Sequence, residues 1–572
     1  MELTIIAVVG VISIVTIAAL SRQIGVAAPL VLVVVGVALS FLPGLPPLRI
    51  QPDWVLTGVL PPLLYASAVR MPAIDFRRDF RSIAGLAVLL VAVTTVCAGP
   101  FFTWLLPGLG LAAAFALGAV ISPTDAVAAT SVGRRLGLPT RLLTILEGEG
   151  LVNDASSLVL LGSAVMAFTH TVHVWRIGVN FLYAVVLAIV IGIVVGQVSV
   201  RVRGLLGDTV LNTAISFVVP FLAFLPAEEI GASGVLAVVV TGLVTGHQSP
   251  RYLRAIDRIA ERVNWSTAAF LLESAIFLLM GFQLKHLLDE AGGGAGRAVW
   301  IGLAASGMVI VLRMLFVAPL VSSLRMDAKR AASIQPRIDD IRSTVTSRFD
   351  GRRLDRYMRR ITQKEGDIAF ALSESFGWRG GVVLAWSGMR GAVTVAAAQS
   401  LPVDTPLRSE LMLIAFVVAV TTLLLQGLTL PGVIRVLKVP GDDEAADREE
   451  YRTLVTDLAA KARDLLDDPD LALPDGSRYL PVVVSRVTDD TRARRPQNQE
   501  PQEEQQPNQE PEPDQEPRTD PRDQYINLML RVLRAEQSEL LALRTQGTYN
   551  SRTLTKAQAT LDTELARLQQ QM

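Results

Sequence analysis

The chain is a succession of apolar runs, each about 20 residues long and separated by short polar turns, and a run of that length spans the hydrocarbon core of a bilayer as an α-helix. Thirteen such runs are predicted, at roughly 3–20, 26–42, 54–69, 82–106, 110–131, 143–165, 178–200, 209–225, 231–247, 266–284, 298–324, 379–400 and 408–437. Residues 1–437 therefore predict an all-α polytopic membrane domain. The first run lacks a basic n-region and a small-residue cleavage site, so it is expected to stay as a span and not to be removed as a signal peptide.

Composition supports that class, with 51% hydrophobic and only 19% charged residues over 572 positions and a mean hydropathy of +0.42. The single cysteine, Cys97, falls inside an apolar run, which excludes a disulfide framework and Cys/His metal spacing, and no cofactor is expected. The net charge of zero is uninformative, but its distribution is not. With the N-terminus outside, fourteen arginines fall in the short cytoplasmic loops and five basic residues on the opposite side. This asymmetry predicts an outside N-terminus and a cytoplasmic C-terminus. The expected surroundings are a cell membrane bilayer, with no nucleic-acid partner.

Outside the spans the chain changes character. The insert 325–378 is basic and carries RRLDRYMRR at 352–360, which as a helix presents a cationic face to anionic headgroups or an acidic partner. Segment 438–493 predicts an amphipathic helix near 445–467 and a short β-like run, YLPVVVSRV, at 479–487. The Gln/Glu/Pro-rich stretch 494–521 cannot bury a core and is predicted to be a disordered linker. Helical periodicity returns over 522–572, with leucines at 528, 530, 533, 540, 541 and 543. This is a tethered helical tail, regulatory or dimer-forming, whose regulator the sequence does not identify.

Polar groups inside the apolar runs carry the candidate chemistry, because an ionisable side chain at that depth is costly unless paired or wetted. In ISPTDAVAA at 121–129, Pro123 removes a backbone donor and should interrupt the fifth span. The freed carbonyls near Thr124, with the Asp125 carboxylate, make an oxygen-rich patch suited to a hard monovalent cation; capping of the second half-helix by Asp125 is the plainer reading. In EGEGLVNDASSLVL at 147–160, Asp154 lies about eleven residues, or about 16 Å, from the cytoplasmic edge of the sixth span, near the midplane. A carboxylate there can be neutralised by a proton or by a cation but not by both. Asn153 offers an amide without adding a charge.

Two further carboxylates and two arginines lie within spans. Glu149 needs a buried cationic partner, and Arg390, flanked by Gly388 and Gly391 in WSGMRGAVTVAAA at 386–398, is the expected one. Glu273 in FLLESAIFLLMGFQL at 270–284 is then expected to pair with Arg313 in the next span, with a role in pH sensing or cation entry as the sharper alternative. The fifth and twelfth spans are the two interrupted by Pro or Gly with a charge inside. They are seven spans apart and so antiparallel, as inverted repeats with broken helices require. Asp125 and Arg390 could each neutralise one set of half-helix ends.

Taken together, LPPLLYASA at 60–68, SPTDAVA at 122–128, EGEGLVNDASSLV at 147–159, ESAIFLLMGFQL at 273–284 and GMRGAV at 388–393 resemble the monovalent cation:proton antiporter-1 family. That family contains the bacterial NhaP-like and the animal sodium/proton exchangers. The likeness covers nearly all of residues 1–437, and the tail at 539–568 is similar to the C-terminal helices of bacterial members. It implies a homodimer, a mobile core moving against a dimerisation domain, and an ion site where two unwound helices, spans 5 and 12, cross. It also implies one-for-one electroneutral exchange. By motif position, Asp154 is the shared proton and cation carboxylate, Thr124 and Asp125 supply ligands, and Glu149 pairs with Arg390. Two departures stand out: the third span reads LLYASAV without the acid some relatives carry, and Gly150 stands where others have Ser.

The expected function is secondary active exchange of a monovalent cation, Na+ first and K+ second, for H+ by alternating access. A cation channel or a proton-coupled symporter of a small organic anion are the rivals. An enzyme is not expected, since no nucleophile, base or metal motif converges.

Overall fold

In a computed structural model, residues 2–43, 51–168, 174–348, 351–373, 377–493 and 520–571 are described. The expected linker 494–521 falls almost wholly outside them. Each of the thirteen apolar runs contains helix, as hydrocarbon demands of a backbone whose polar groups can be satisfied only internally. The first two runs form α1 (Glu2–Ile24) and α2 (Ala28–Ser40), and the third opens with a π-helical turn before α3 (Leu60–Arg70). Short helices α4 (Ala73–Arg78) and α5 (Phe80–Ala84) lead through a second π-helical turn to α6 (Val91–Leu105). The fifth run is split into α7 (Leu111–Ile121) and α8 (Val127–Arg135), and the sixth is α9 (Thr140–Met166).

Then follow α10 (Val174–Gly204), α11 (Thr209–Glu229), α12 (Gly234–Tyr252), α13 (Ala255–Phe282), the short α14 (Leu284–Ala291) and α15 (Ala295–Arg348). The basic insert is not a separate loop at its start: α15 runs unbroken for 54 residues from the eleventh span into it. The rest of the insert is α16 (Gly351–Ser373). The twelfth run is split into α17 (Trp378–Trp386) and α18 (Ala392–Gln399), and the thirteenth is α19 (Arg408–Leu437).

The chain divides into two compact units. The first comprises Met1–Leu253, Ala260–Ala331 and Ala371–Asp442. Among the described residues, five helical stretches are long and apolar enough to cross a membrane by length and composition, and they differ in how the protein covers them. Only 17% of the apolar window in Trp175–Gly204 is buried, against 67% in Arg408–Leu437. The first therefore shows hydrocarbon-like side chains such as Leu182, Val186, Val190 and Val194 to its surroundings, while the second is core. Several charges inside the unit are matched. Arg203, with no exposed side-chain surface, donates to Glu261 Oε1 at 2.8 Å and to Asn212 Oδ1 at 2.8 Å, tying α10, α11 and α13.

The second unit gathers Arg254–Ile259, Ala332–Phe370 and Asp443–Met572. Its core packs α20 (Glu444–Leu466), α21 (Pro481–Ala493), α22 (Pro521–Gln546) and α23 (Ser551–Gln569) through Leu454, Leu458, Val487, Leu533, Leu540 and Leu561. Each such side chain contributes about 1.5–3 kcal/mol by burial. Asp520 and Pro521 start α22, the Asp side chain accepting from Arg522 N, and Gly547 stops it in the left-handed region at φ 72°.

The run at 479–487 is not a strand: residues from Pro481 onward are helical. Val483 and Val487, four residues apart, fall on one helical face and bury in this core. Among the described residues no neighbouring strand exists to pair with, only an isolated bridge between Ala472 and Arg478. Packing thus overrides β-propensity.

A buried ion pair anchors this unit: Arg258 donates bidentately to Asp562, whose Oδ1 also accepts from Gln558 Nε2 at 2.7 Å. The two side chains are 6% and 1% exposed. Asp562→Ala leaves the guanidinium buried without its carboxylate, a loss of about 3–5 kcal/mol. Amide hydrogen exchange should therefore quicken across α23 in the full-length variant and stay unchanged in α19.

Candidate functional site

Pro123 ends α7, and residues 122–126 are non-helical until Val127 resumes as α8. Every interrupted helix leaves amides and carbonyls without partners, and here named groups take them up. Arg390 Nε donates to Ile121 O at 3.1 Å, and Asn153 Nδ2 donates to Thr124 O at 2.7 Å. Ser157 Oγ donates to Ala119 O at 2.8 Å. Asp125 Oδ1 accepts from Val127 N at 2.8 Å, so Asp125 caps the second half-helix.

The second interruption, residues 387–391 between α17 and α18, meets the first directly: Asp125 N donates to Met389 O at 2.7 Å. Arg390 also donates to Gly388 O, and its backbone N–H donates to Thr422 Oγ1 at 3.2 Å. Its guanidinium thus sits at the carbonyl ends of two half-helices, α7 and α17, where a positive charge is favoured. Both glycines flanking it are needed for close approach. A Cβ on Gly391 would lie 2.5 Å from Asp125 Oδ2, and one on Gly388 would overlap the Arg313 side chain.

The ion pairing differs from expectation. Glu149 bonds Arg313, not Arg390: Arg313 Nη2 donates to Glu149 Oε2 at 2.8 Å and Nη1 to Oε1, a bidentate fork with side chains 1% and 2% exposed. Arg313 also donates to Leu384 O at 3.1 Å. The reason is steric and local. The missing side chain at Gly388 opens a path for Arg313 from α15 to α9, while Arg390 is held by the carbonyls of Ile121 and Gly388. Glu273 accordingly does not pair with Arg313.

From Glu149 a chain of hydrogen bonds runs to the first interruption. Thr124 Oγ1 donates to Glu149 Oε1 at 2.6 Å and accepts from Asn153 Nδ2 at 3.0 Å. Because Thr124 O can only accept, the Asn153 amide nitrogen must face it, which leaves Asn153 Oδ1 buried without a donor among the described residues. Consecutive helical residues point about 100° apart. Asn153 therefore faces the interruption, and Asp154 faces elsewhere.

Asp154 faces a cavity of about 510 Å³, lined also by Thr124, Asp125, Glu273, Ser67 and Arg70. Asn153 does not line it. Asp154 makes no hydrogen bond or ion pair among the described residues, in contrast to Glu149 on the same helix. The donor set around it is all oxygen, the ligand type of hard cations. Thr124 has both its hydroxyl and its carbonyl engaged, so the open carboxylate oxygens among the described residues are those of Asp154, those of Glu273 and the Oδ2 of Asp125. Sequence reasoning did not single out Glu147, Arg134 and Arg70, which also line the cavity. The signal was present for one of them: Glu147 and Asp154 are seven residues apart, two turns on one helical face. Gly150 has a packing reason, since a Cβ there would stand 3.1 Å from the Ala126 Cβ.

Two outcomes follow from this geometry. Glu149→Gln should destabilise the protein by about 3–5 kcal/mol, read as a lower melting temperature in detergent. A double-mutant cycle with Arg313 should return a larger coupling than one with Arg390. Gly391→Ala should reduce transport at least tenfold in proteoliposomes with the protein still folded, because the added methyl displaces Asp125 at a cost of about 1–3 kcal/mol.

Residues 9–436 match the family model described as sodium/hydrogen exchanger, transmembrane. The chain is 30% identical over 464 residues to an uncharacterized Na(+)/H(+) exchanger of Mycobacterium tuberculosis (strain ATCC 25618 / H37Rv), a match covering 78% of this chain and 76% of that protein. It is 26% identical over 422 residues to a sodium, potassium, lithium and rubidium/H(+) antiporter of Bacillus pumilus, covering 70% and 57% respectively. Among solved structures, the sodium proton antiporter MjNhaP1 from Methanocaldococcus jannaschii matches with a TM-score of 0.54 and 15% identity, over 76% of this chain and 99% of that one. At that identity the likeness is one of fold, an all-helical multi-span membrane architecture. The chain belongs to the sodium/hydrogen exchanger family, monovalent cation/proton antiporters of the membrane, and is a transporter and not an enzyme.

Proposed function

We propose that this protein exchanges one monovalent cation, Na+ or K+, for one proton by alternating access, with Asp154 as the group both ions share. The observation that carries the reading is the Asp154 carboxylate, open to the cavity and without a bonding partner among the described residues, beside a pair of interrupted helices. Deprotonated Asp154, with Asp125 Oδ2 alongside, takes the cation. Thr124 and Asn153 hold the interruption in shape, and Glu149 with Arg313 holds Thr124. The neutralised site passes the barrier, releases the cation, accepts a proton and returns.

An empty, charged site does not pass, because moving an unpaired carboxylate into low dielectric costs several kcal/mol. That penalty couples the two fluxes. With one shared carboxylate, one cation leaves for each proton taken, and no net charge moves. The meeting of the two interruptions through Asp125 N and Met389 O supports a crossing of broken helices from inverted repeats. The assembly proposed is a homodimer with the N-terminus outside and the C-terminus cytoplasmic.

The test is reconstitution in liposomes carrying an internal pH dye, with a proton gradient imposed and Na+ or K+ added. Cation-triggered proton movement should be insensitive to a clamped membrane potential. Asp154→Asn should abolish it while melting temperature and elution volume stay unchanged. Transport retained in that variant would remove Asp154 from the mechanism, and movement that follows the potential would refute one-for-one exchange.

A further inference from the structure

Several carboxylates in the first unit are held by arginines, and two that face the cavity are not bonded at all among the described residues. Glu149, Asp79, Glu261 and Glu410 each bond an arginine: Arg313, Arg141, Arg203 and Arg297. Asp154 and Glu273 bond none, and both face the cavity. Glu273 sits on α13 with Ile276 and Phe277, three and four residues on, so one side of that helix forms a stretch of cavity wall. It makes no hydrogen bond or ion pair among the described residues. An ionisable side chain so placed serves no packing purpose that a glutamine or leucine would not serve better.

The groups facing Glu273 come from three other elements: Asp125 from the interruption before α8, Arg70 from the end of α3, and, along the same cavity, Glu147 and Asp154 from α9. Glu273 lies within electrostatic range of Asp125 and Arg70. Arg70 lines the cavity, and its guanidinium is tethered through Nε, which donates to Ala66 O at 2.8 Å. It lies within electrostatic range of Glu147 and Glu273 and, among the described residues, forms no ion pair with either. Glu147 is taken by Arg134. The pair Arg134 and Glu147 has side chains 65% and 30% exposed, which marks the wetter end of the cavity. Glu147 stands about 10 Å along α9 from Asp154. An arginine tethered in the same cavity, within electrostatic range of a carboxylate that no side chain bonds, offers that carboxylate the positive charge a small cation would otherwise bring.

Resting on the exchange reading above, we propose that Glu273 is a second cation-binding carboxylate of the cavity and that Arg70 is its tethered competitor. The cation is selected at Glu273 before it reaches Asp154, and it must displace the electrostatic hold of Arg70 to do so. Arg70 thereby sets the apparent affinity without touching the chemistry at Asp154. A purely structural Glu273 would change stability and maximal rate but not the interplay with Arg70.

The experiment is the same liposome assay on full-length protein, reading KM for Na+, and for K+ in separate runs, together with maximal rate at fixed pH. Glu273→Gln should raise KM roughly tenfold with a maximal rate near that of the parent, and Glu273→Asp should restore most of the affinity. Arg70→Gln should lower KM roughly threefold or more. In the double variant the Arg70 effect should vanish, leaving the KM of Glu273→Gln alone. Parental KM in Glu273→Gln, or an Arg70 effect that persists undiminished in the double variant, overturns the proposal. Should Glu273→Gln fold poorly, an unchanged KM in Arg70→Gln overturns it equally. If instead the parent protein moves no protons on cation addition, the exchange reading itself fails, an outcome distinct from either.

Discussion

A helix interrupted inside an apolar domain has no water to satisfy the backbone groups it leaves open, and the central part of this protein is built around two such interruptions. Each takes partners from the other or from nearby side chains. Met389 O accepts from Asp125 N, Ile121 O and Gly388 O accept from Arg390, and Thr124 O accepts from Asn153. Removing any of these partners exposes a buried polar group at about 1–3 kcal/mol. The same bonds bring opposite half-helix ends together, with Arg390 at the carbonyl ends and Asp125 at the amide end of α8. The geometry of the cavity is a consequence of this closure.

Charge placement separates scaffold from chemistry. Glu149, fully committed to Arg313, fixes Thr124, which in turn meets Asn153. Five residues further along α9, Asp154 is left with an open carboxylate. Two acids on one helix thus differ because of what faces them: Glu149 meets an arginine, and Asp154 faces the cavity without a bonding partner among the described residues. Three glycines permit the arrangement by leaving out a Cβ, Gly150 against Ala126, Gly388 against Arg313 and Gly391 against Asp125.

The second unit shows a different economy. Its helices bury leucines in a shared core, and its buried pair Arg258–Asp562 joins residues 304 positions apart. Arg258 lies at the start of α13, the helix that later carries Glu273 into the cavity wall. Local helical propensity builds this unit's pieces; only the distant pairing assembles them.

Much of the fold was legible because its causes are local. Hydrocarbon thickness fixes the length of an apolar run, proline and glycine mark the interruptions at 122–126 and 387–391, and carboxylates inside apolar runs mark Asp154, with Asp125, Glu149 and Glu273, as exceptional. What sequence could not decide was partnership. Two intramembrane glutamates and two buried arginines admit two pairings, and the choice of Glu149 with Arg313 rests on space beside Gly388, contributed by the second interruption. Nor could spacing tell which of Asn153 and Asp154 faces the cavity, or that YLPVVVSRV lies against other helices and winds as one. The sequence by itself determined where helices form, where they break and which charges are out of place; the tertiary structure decided which charge meets which, because contact between residues far apart in the chain depends on packing that no single segment encodes.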